Sequence, residues 1–199
     1  MNYFSLRPLL LCTLCVKLSV VTADEGMWIP MLLAKYNEAD MQSKGLKLSA
    51  ADIYSVNHAS LKDAVVQFGG GCTGEIISAE GLLLTNHHCG RSRIQLHSTL
   101  EKNYIDNGYW SMNRGEELSN PGLTATFLLR MEDVTSEILA TILPGMSEVD
   151  RYTAIEKASR QLEKKAIEGT HYEAKVKEFF GGNEFYIFIT ETYKDVRLV

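Results

Sequence analysis

The stretch from Gly71 to Cys89 constrains the fold more than any other part of this chain. It reads Gly71-Cys72-Thr73-Gly74-Glu75-Ile76-Ile77-Ser78-Ala79-Glu80-Gly81-Leu82-Leu83-Leu84-Thr85-Asn86-His87-His88-Cys89. Residues 74–78 and 82–85 are short apolar-rich runs joined by Ala79-Glu80-Gly81. Run length, β-branched content and the turn glycine predict a β-hairpin. A further strand-like run, Ala64-Val65-Val66-Gln67-Phe68, precedes it, and Gly69-Gly70-Gly71 separates the two. A cysteine stands at each end of the hairpin, and a pair of histidines directly precedes the second one.

The N-terminal residues follow a different rule. Arg7 supplies an early positive charge, residues 9–21 are largely apolar with Lys17 as an interruption, and Val21-Thr22-Ala23 has the small-x-small form of a cleavage site before Asp24-Glu25. That is the pattern of a secretory signal peptide over residues 1–23. The competing reading is a transmembrane anchor, but the apolar run falls short of the ~20 residues a bilayer requires. Without the signal the chain carries 18 basic against 25 acidic residues, a net charge of −7 instead of −5. No Lys/Arg block is present, which argues against nucleic acid as a partner. Hydrophobic content of 45% and charged content of 23% fit a globular domain over residues 24–199.

Cysteine usage agrees with export. Cys12 and Cys15 leave with the signal, so Cys72 and Cys89 remain as an even pair in an oxidising compartment. A bridge between them closes a loop of about 17 residues and contributes roughly 3 kcal/mol by the loop-entropy estimate. Two buried free thiols are the alternative.

Elsewhere the pattern predicts mostly β structure with added helices. Residues 27–36 are apolar and helical toward their end, with Pro30 near the start. Ser49 and Asp52 form a capping-box pattern for a short helix, and residues 57–62 predict another helical turn. Residues 101–122 are loop-like, with Tyr104, Tyr109 and Trp110 as anchors; Trp28 is likewise assigned to core or loop packing. Residues 124–131 predict a strand. Ser147, with Asp150 as capping partner, starts a helix whose apolar face carries Tyr152, Ile155, Ser159, Leu162 and Ala166. Glu156, Lys157, Glu163, Lys164 and Lys165 form its solvated face, and Gly181-Gly182 ends the helical stretch. Residues 184–193 alternate as a strand and 196–199 begin another. The sequence stops inside that apolar run without turn, cap or polar tail, which points to a fragment.

The chemistry concentrates at the second cysteine. A general base must be held within hydrogen-bond reach of its nucleophile, so a histidine on a rigid strand end suits that work. Imidazole titrates near neutrality, so it can take a proton from a hydroxyl and return it to a leaving amine. The arrangement resembles the Cys…His-Cys segment of trypsin-like serine peptidases, in which the histidine before the cysteine is the catalytic base. The wider sequence is similar to bacterial dipeptidyl-peptidases of the 7 and 11 type. The matching stretches are Glu25 to Pro30, Leu61 to Ser78, Gly81 to Gly90, Asn107-Gly108-Tyr109-Trp110, Pro121-Gly122-Leu123-Thr124 and Gly181 to Tyr186.

That resemblance implies a chymotrypsin-like double β-barrel with a large inserted helical domain as a lid. This chain would supply an incomplete part of it, the first barrel and a helical insertion. It implies a His, Asp and Ser triad in a periplasmic exopeptidase that releases dipeptides from the N-terminus of oligopeptides, with no metal or organic cofactor and with a homodimeric habit. His88 matches the catalytic histidine. The aspartate is expected shortly beyond Val199 and the serine far beyond it, so the chain alone is expected to be inactive. The residues that bind the substrate's free amino group and choose an acidic or a hydrophobic side chain also lie mostly elsewhere. Successive strand residues face opposite ways, so only one of His87 and His88 can face the site. The trypsin-like pattern selects His88, leaving His87 packed or at the surface.

Two other readings use the same residues. Cys72, His87, His88 and Cys89 carry donors that zinc accepts, but no Cys-x-x-Cys or His-x-x-x-His spacing is present and export favours oxidation of the pair. The second is a non-catalytic half-barrel binding module that keeps its histidine by descent. A base without its nucleophile cannot run acyl transfer. His58, His97 and His171 have no partner pattern and receive no role; Asn86 is assigned to orienting the backbone before the histidine pair.

Overall fold

The computed structural model describes residues 26 and 28–199, so the signal segment and Met27 lie outside the described residues. A 3-10 turn at Pro30–Leu32 runs into α1 (Leu33–Tyr36) and α2 (Glu38–Ser43), followed by α3 (Ala50–Ile53). The expected capping box at α3 is present. The Ser49 hydroxyl accepts the Asp52 N–H at 3.1 Å, and the Asp52 carboxylate accepts the Ser49 N–H at 2.9 Å. The turn expected at 57–62 lies later, at Leu61–Ala64, because Ser60 and Asp63 supply a second capping box there.

The strands and helices that follow are β1 (Val65–Phe68), β2 (Cys72–Ile76), β3 (Leu83–Thr85), α4 (His87–His97), α5 (Tyr104–Asn107), β4 (Leu118–Ser119) and β5 (Ala125–Asp133). Next come α6 (Thr135–Leu139), α7 (Glu148–Ala166), β6 (Glu173–Phe179), β7 (Glu184–Tyr193) and β8 (Arg197–Leu198). Six strands form one antiparallel sheet in the order β3-β2-β1-β5-β7-β6, and β4 pairs with β8 separately. The seam between the β1–β3 meander and the rest is short, pairing Gln67 with Thr126 and Phe68 with Ala125. Among the described residues the sheet is open, with β3 and β6 at its edges. The chain is therefore built around one antiparallel sheet, with several helices.

One core dominates. Phe185, Ile187 and Ile189 alternate inward along β7, as a strand period of two requires, and meet Val134, Ile138 and Ala158. Ile155, Leu162 and Ala166 of α7 and Ala174 and Val176 of β6 pack against this cluster. The predicted helical face is thus real, but Tyr152 at its start is exposed.

Three expectations fail for identifiable reasons. The helix does not run to Gly181-Gly182: it ends at Ala166, the chain turns through Gly169 at φ 75°, and residues 173–179 form β6. Glu173-Ala174-Lys175-Val176-Lys177 alternates polar and apolar, so its period is two and not 3.6. The two glycines instead make the β6–β7 turn, at φ 67° and 82°. Glu163 is not simply solvated, since its carboxylate accepts the Val176 N–H at 2.9 Å and pairs with Lys175 at 3.3 Å, tying α7 to β6. Trp110 anchors nothing, at 80% exposed, whereas Tyr104 and Tyr109 meet edge-on at 4.8 Å between ring centres.

Candidate active site

The site is built on the β2–β3 hairpin. The register pairs Gly74 with Thr85 and Ile76 with Leu83, and the Thr85 hydroxyl donates to the Thr73 carbonyl at 2.6 Å. Gly74 permits this close pairing, because a Cβ there would stand 2.7 Å from Leu83 Cδ2. The turn is tied to the loop before β4 by Arg114 and Glu80 at 2.9 Å.

The chain leaves β3 at Thr85, and extended Asn86 opens α4. Its carbonyl accepts the Cys89 N–H at 2.9 Å, and its side chain makes no capping hydrogen bond. The bond Asn86 contributes at this turn is thus a backbone one, which does not depend on its side chain. The histidine pair does not sit on a strand end. His87 and His88 are the first residues of an 11-residue helix, and both are exposed. The opposite-face argument for choosing between them does not apply there, because neighbours on a helix are about 100° apart. The two differ in position: a ring nitrogen of His88 lies within 4.8 Å of both Cys72 Sγ and Cys89 Sγ.

The two cysteines form a disulfide, with Cα atoms 6.1 Å apart. It joins β2 to the first turn of α4, so the backbone on both sides of His88 is fixed by the sheet and by a covalent cross-link. Sulfurs bonded to each other are not thiolates, so in this oxidised state they offer zinc no charged ligands.

The far end of α4 is held by residues to which the sequence reading gave no part. Asn120 is 2% exposed. Its Nδ2 donates to the Leu118 carbonyl at 3.2 Å, which turns Oδ1 toward His97, 3.1 Å from Nε2. His97 Nε2 is consequently the donor. The Asn120 N–H donates to the Val196 carbonyl at 3.0 Å, and Arg93 Nη1 donates to the Pro121 carbonyl at 3.2 Å. Helix α4 is thus fastened at one end by a disulfide and at the other to the turn between β4 and β5. Asn120-Pro121-Gly122 advertises a turn, but nothing in it names His97 as a partner. His171 also has a partner: its exposed ring lies 2.7 Å from the half-buried carboxylate of Glu191 on β7.

The family model for peptidase S46 matches residues 23–199. The chain belongs to the peptidase S46 family. It is 48% identical over 181 residues to a dipeptidyl-peptidase 7 of Capnocytophaga gingivalis, covering 91% of this chain and 25% of that protein. It is 47% identical to an Asp/Glu-specific dipeptidyl-peptidase of Flavobacterium psychrophilum, covering 87% of this chain and 24% of the relative. Among solved structures, DPP11 of Porphyromonas endodontalis in complex with the dipeptide Arg-Asp superposes with a TM-score of 0.74 at 42% identity, covering 89% of this chain and 26% of that one. This S46 chain therefore spans about a quarter of the length of the relatives it matches. Within that quarter it presents an exposed imidazole at the mouth of a hairpin, on a helix pinned at both ends.

Proposed function

We propose that His88 is the general base of a serine-type dipeptidyl-peptidase that releases dipeptides from the N-terminus of oligopeptides. The observation that carries this reading is the placement of His88. Its ring is exposed, beside a disulfide that locks β2 to α4, in a chain of the S46 family. A base on a pre-set backbone loses little freedom when it meets the substrate, and alignment of this kind contributes much of a catalyst's advantage. His88 takes the proton of a serine hydroxyl as that oxygen attacks the peptide carbonyl, then returns it to the departing amine; water releases the acyl group by the same route. The serine and the aspartate belong to sequence outside these 199 residues. The same holds for the backbone N–H groups that stabilise the oxyanion. Residues 24–199 are the N-terminal part of the catalytic domain. The β1–β3 meander and the β5–β7–β6 sheet form the first half of a chymotrypsin-like double barrel, with α6 and α7 as an insertion. Residues 1–23 direct export to the periplasm, and the working enzyme is a homodimer. The relatives' names support a peptide with a free N-terminus as substrate; they include both Asp/Glu-specific enzymes and dipeptidyl-peptidase 7.

The test is hydrolysis of dipeptidyl chromogenic amides by the protein expressed from its complete gene. His88→Ala should lower kcat by at least about 10⁴-fold, the scale set by loss of a triad member, while circular dichroism stays unchanged. His87→Ala should change it less than about threefold. Normal turnover by a folded His88→Ala variant would eliminate the assignment. The 199-residue chain alone should show no turnover.

A further inference from the structure

Cys72, His88 and Cys89 form a single cluster whose possible ligand atoms lie within 4.8 Å of one another. In the oxidised protein two of those atoms are consumed by the disulfide. We propose that reduction converts this cluster into a binding site for a zinc-type divalent metal, and that metal binding there and use of His88 as a base exclude each other. The second half of this proposal rests on the peptidase reading above; the first half does not.

The chemistry balances as follows. A dithiol reductant attacks one bridge sulfur, the Cys72–Cys89 bond breaks, and the reductant leaves as its own disulfide. Its two electrons and two protons reside on Cys72 and Cys89 as thiols. A divalent metal displaces both thiol protons to the buffer and forms two metal–sulfur bonds. His88 donates the lone pair of its unprotonated ring nitrogen, and water fills the fourth position. Two thiolates and an imidazole are a donor set that zinc favours, and their charges neutralise the ion.

The geometry is close to what the metal requires. Bond lengths of about 2.3 Å to sulfur and 2.0 Å to nitrogen in a tetrahedron place each sulfur about 3.5 Å from the nitrogen and the two sulfurs about 3.8 Å apart. The Cβ atoms of a bridged pair already stand about 3.8 Å apart, so the sulfurs can open by side-chain rotation. The Cα separation of 6.1 Å need not change. His88 has to close by roughly 1 Å, and its exposed ring is free to turn. Cys89 lies in the first turn of α4, where the helix dipole favours the negative charge of a thiolate. Both cysteines are half-buried and His88 is exposed, so the metal enters from the histidine side. A ring nitrogen that holds a metal has no lone pair with which to accept a serine proton.

Cobalt(II) is the probe, added without oxygen to the reduced protein. The expected result is one cobalt per chain, with sulfur-to-cobalt charge-transfer absorption and the ligand-field bands of a tetrahedral ion. The oxidised protein should show neither. His88→Ala should weaken cobalt binding by more than about tenfold, and the Cys72→Ser/Cys89→Ser double variant should abolish the charge-transfer band. Absence of that band in the reduced protein overturns the proposal. So does a band whose affinity is the same in His88→Ala, which would signify chelation by two thiols in a loosened chain. In the second arm, zinc should inhibit hydrolysis by the reduced, complete protein, a chelator should restore it, and the oxidised protein should be insensitive to the same zinc. Unchanged hydrolysis by reduced, metal-loaded protein overturns the mutual exclusion. A complete protein that is inactive even when oxidised and metal-free counts against the peptidase reading, while the cobalt spectrum still decides the site.

Discussion

Asn120→Ala should destabilise the protein by about 2 kcal/mol, and the reason lies in two hydrogen bonds. The amide accepts from His97 Nε2 at 3.1 Å and donates to the Leu118 carbonyl at 3.2 Å. Each such bond is worth about 1 kcal/mol net. An orphaned partner adds up to about 3 kcal/mol when it is fully sealed from water, but His97 and Leu118 are only half-buried, so water reaches both and that addition is small. The backbone bonds from Asn120 to Val196 and from Leu123 to Asn120 do not involve the side chain and should survive, so the turn persists. In a chain of 199 residues, about 2 kcal/mol lowers the melting temperature by about 4–8 °C. The assay is urea unfolding followed by circular dichroism, with a double-mutant cycle against His97→Ala. The cycle should return a coupling of about 1 kcal/mol. His97→Gln, whose amide can still donate, should recover part of the loss. A cost below about 0.5 kcal/mol, or strict additivity of the two variants, refutes the argument that this pair fastens α4. In the complete protein, a loosened α4 should lower kcat more than it raises KM, since the helix carries His88 at its other end.

Ile138→Ala should cost about 2–5 kcal/mol, because Ile138 is 0% exposed between α6, α7 and β7, whereas Leu139→Ala, at 38% exposed, should cost much less; thermal melts of the two compare them directly. Removing the bridge with Cys72→Ser/Cys89→Ser should cost about 3 kcal/mol, and thiol counting on denatured, unreduced wild type should find neither cysteine free. The Asp52 carboxyl is held below its ordinary value, first by the Ser49 side-chain hydrogen bond and then by the Ser49 backbone N–H. Its stabilising contribution is therefore complete above the ordinary carboxylate value and disappears as pH falls through the depressed one. Carbon-detected NMR titration should place Asp52 low in wild type and closer to the ordinary value in Ser49→Ala, where only the backbone N–H bond remains.

Local rules made much of this fold legible. The hairpin of β2 and β3, the boundaries of β7 and the caps at Ser49 and Ser147 all follow from signals within a few residues of one another. Ser147 accepts the Asp150 N–H at 3.1 Å, as its spacing requires. What was not legible depends on partners distant in sequence. Asn120 and His97 are 23 residues apart, and Glu163 reaches the backbone of Val176 across a turn. The β6 strand was missed because its lysines and glutamates resemble the solvated face of the preceding helix; only Ala174 and Val176, packed on the core, reveal the change of period.

The misreading at His87 and His88 has more consequence than the others, because it changes how the site works. On a strand, the pair would point to opposite faces and the sheet alone would select one. On α4 the two rings leave the helix about 100° apart, and the disulfide ties Cys89 in the helix's first turn to Cys72 on β2, beside His88. Two effects of the bridge, orientation of the imidazole and stability of the hairpin, are separable. If orientation matters, the Cys72→Ser/Cys89→Ser protein should lose kcat even under conditions where it is fully folded. If the bridge only stabilises, turnover per folded molecule should be unchanged, and the sheet by itself holds the histidine.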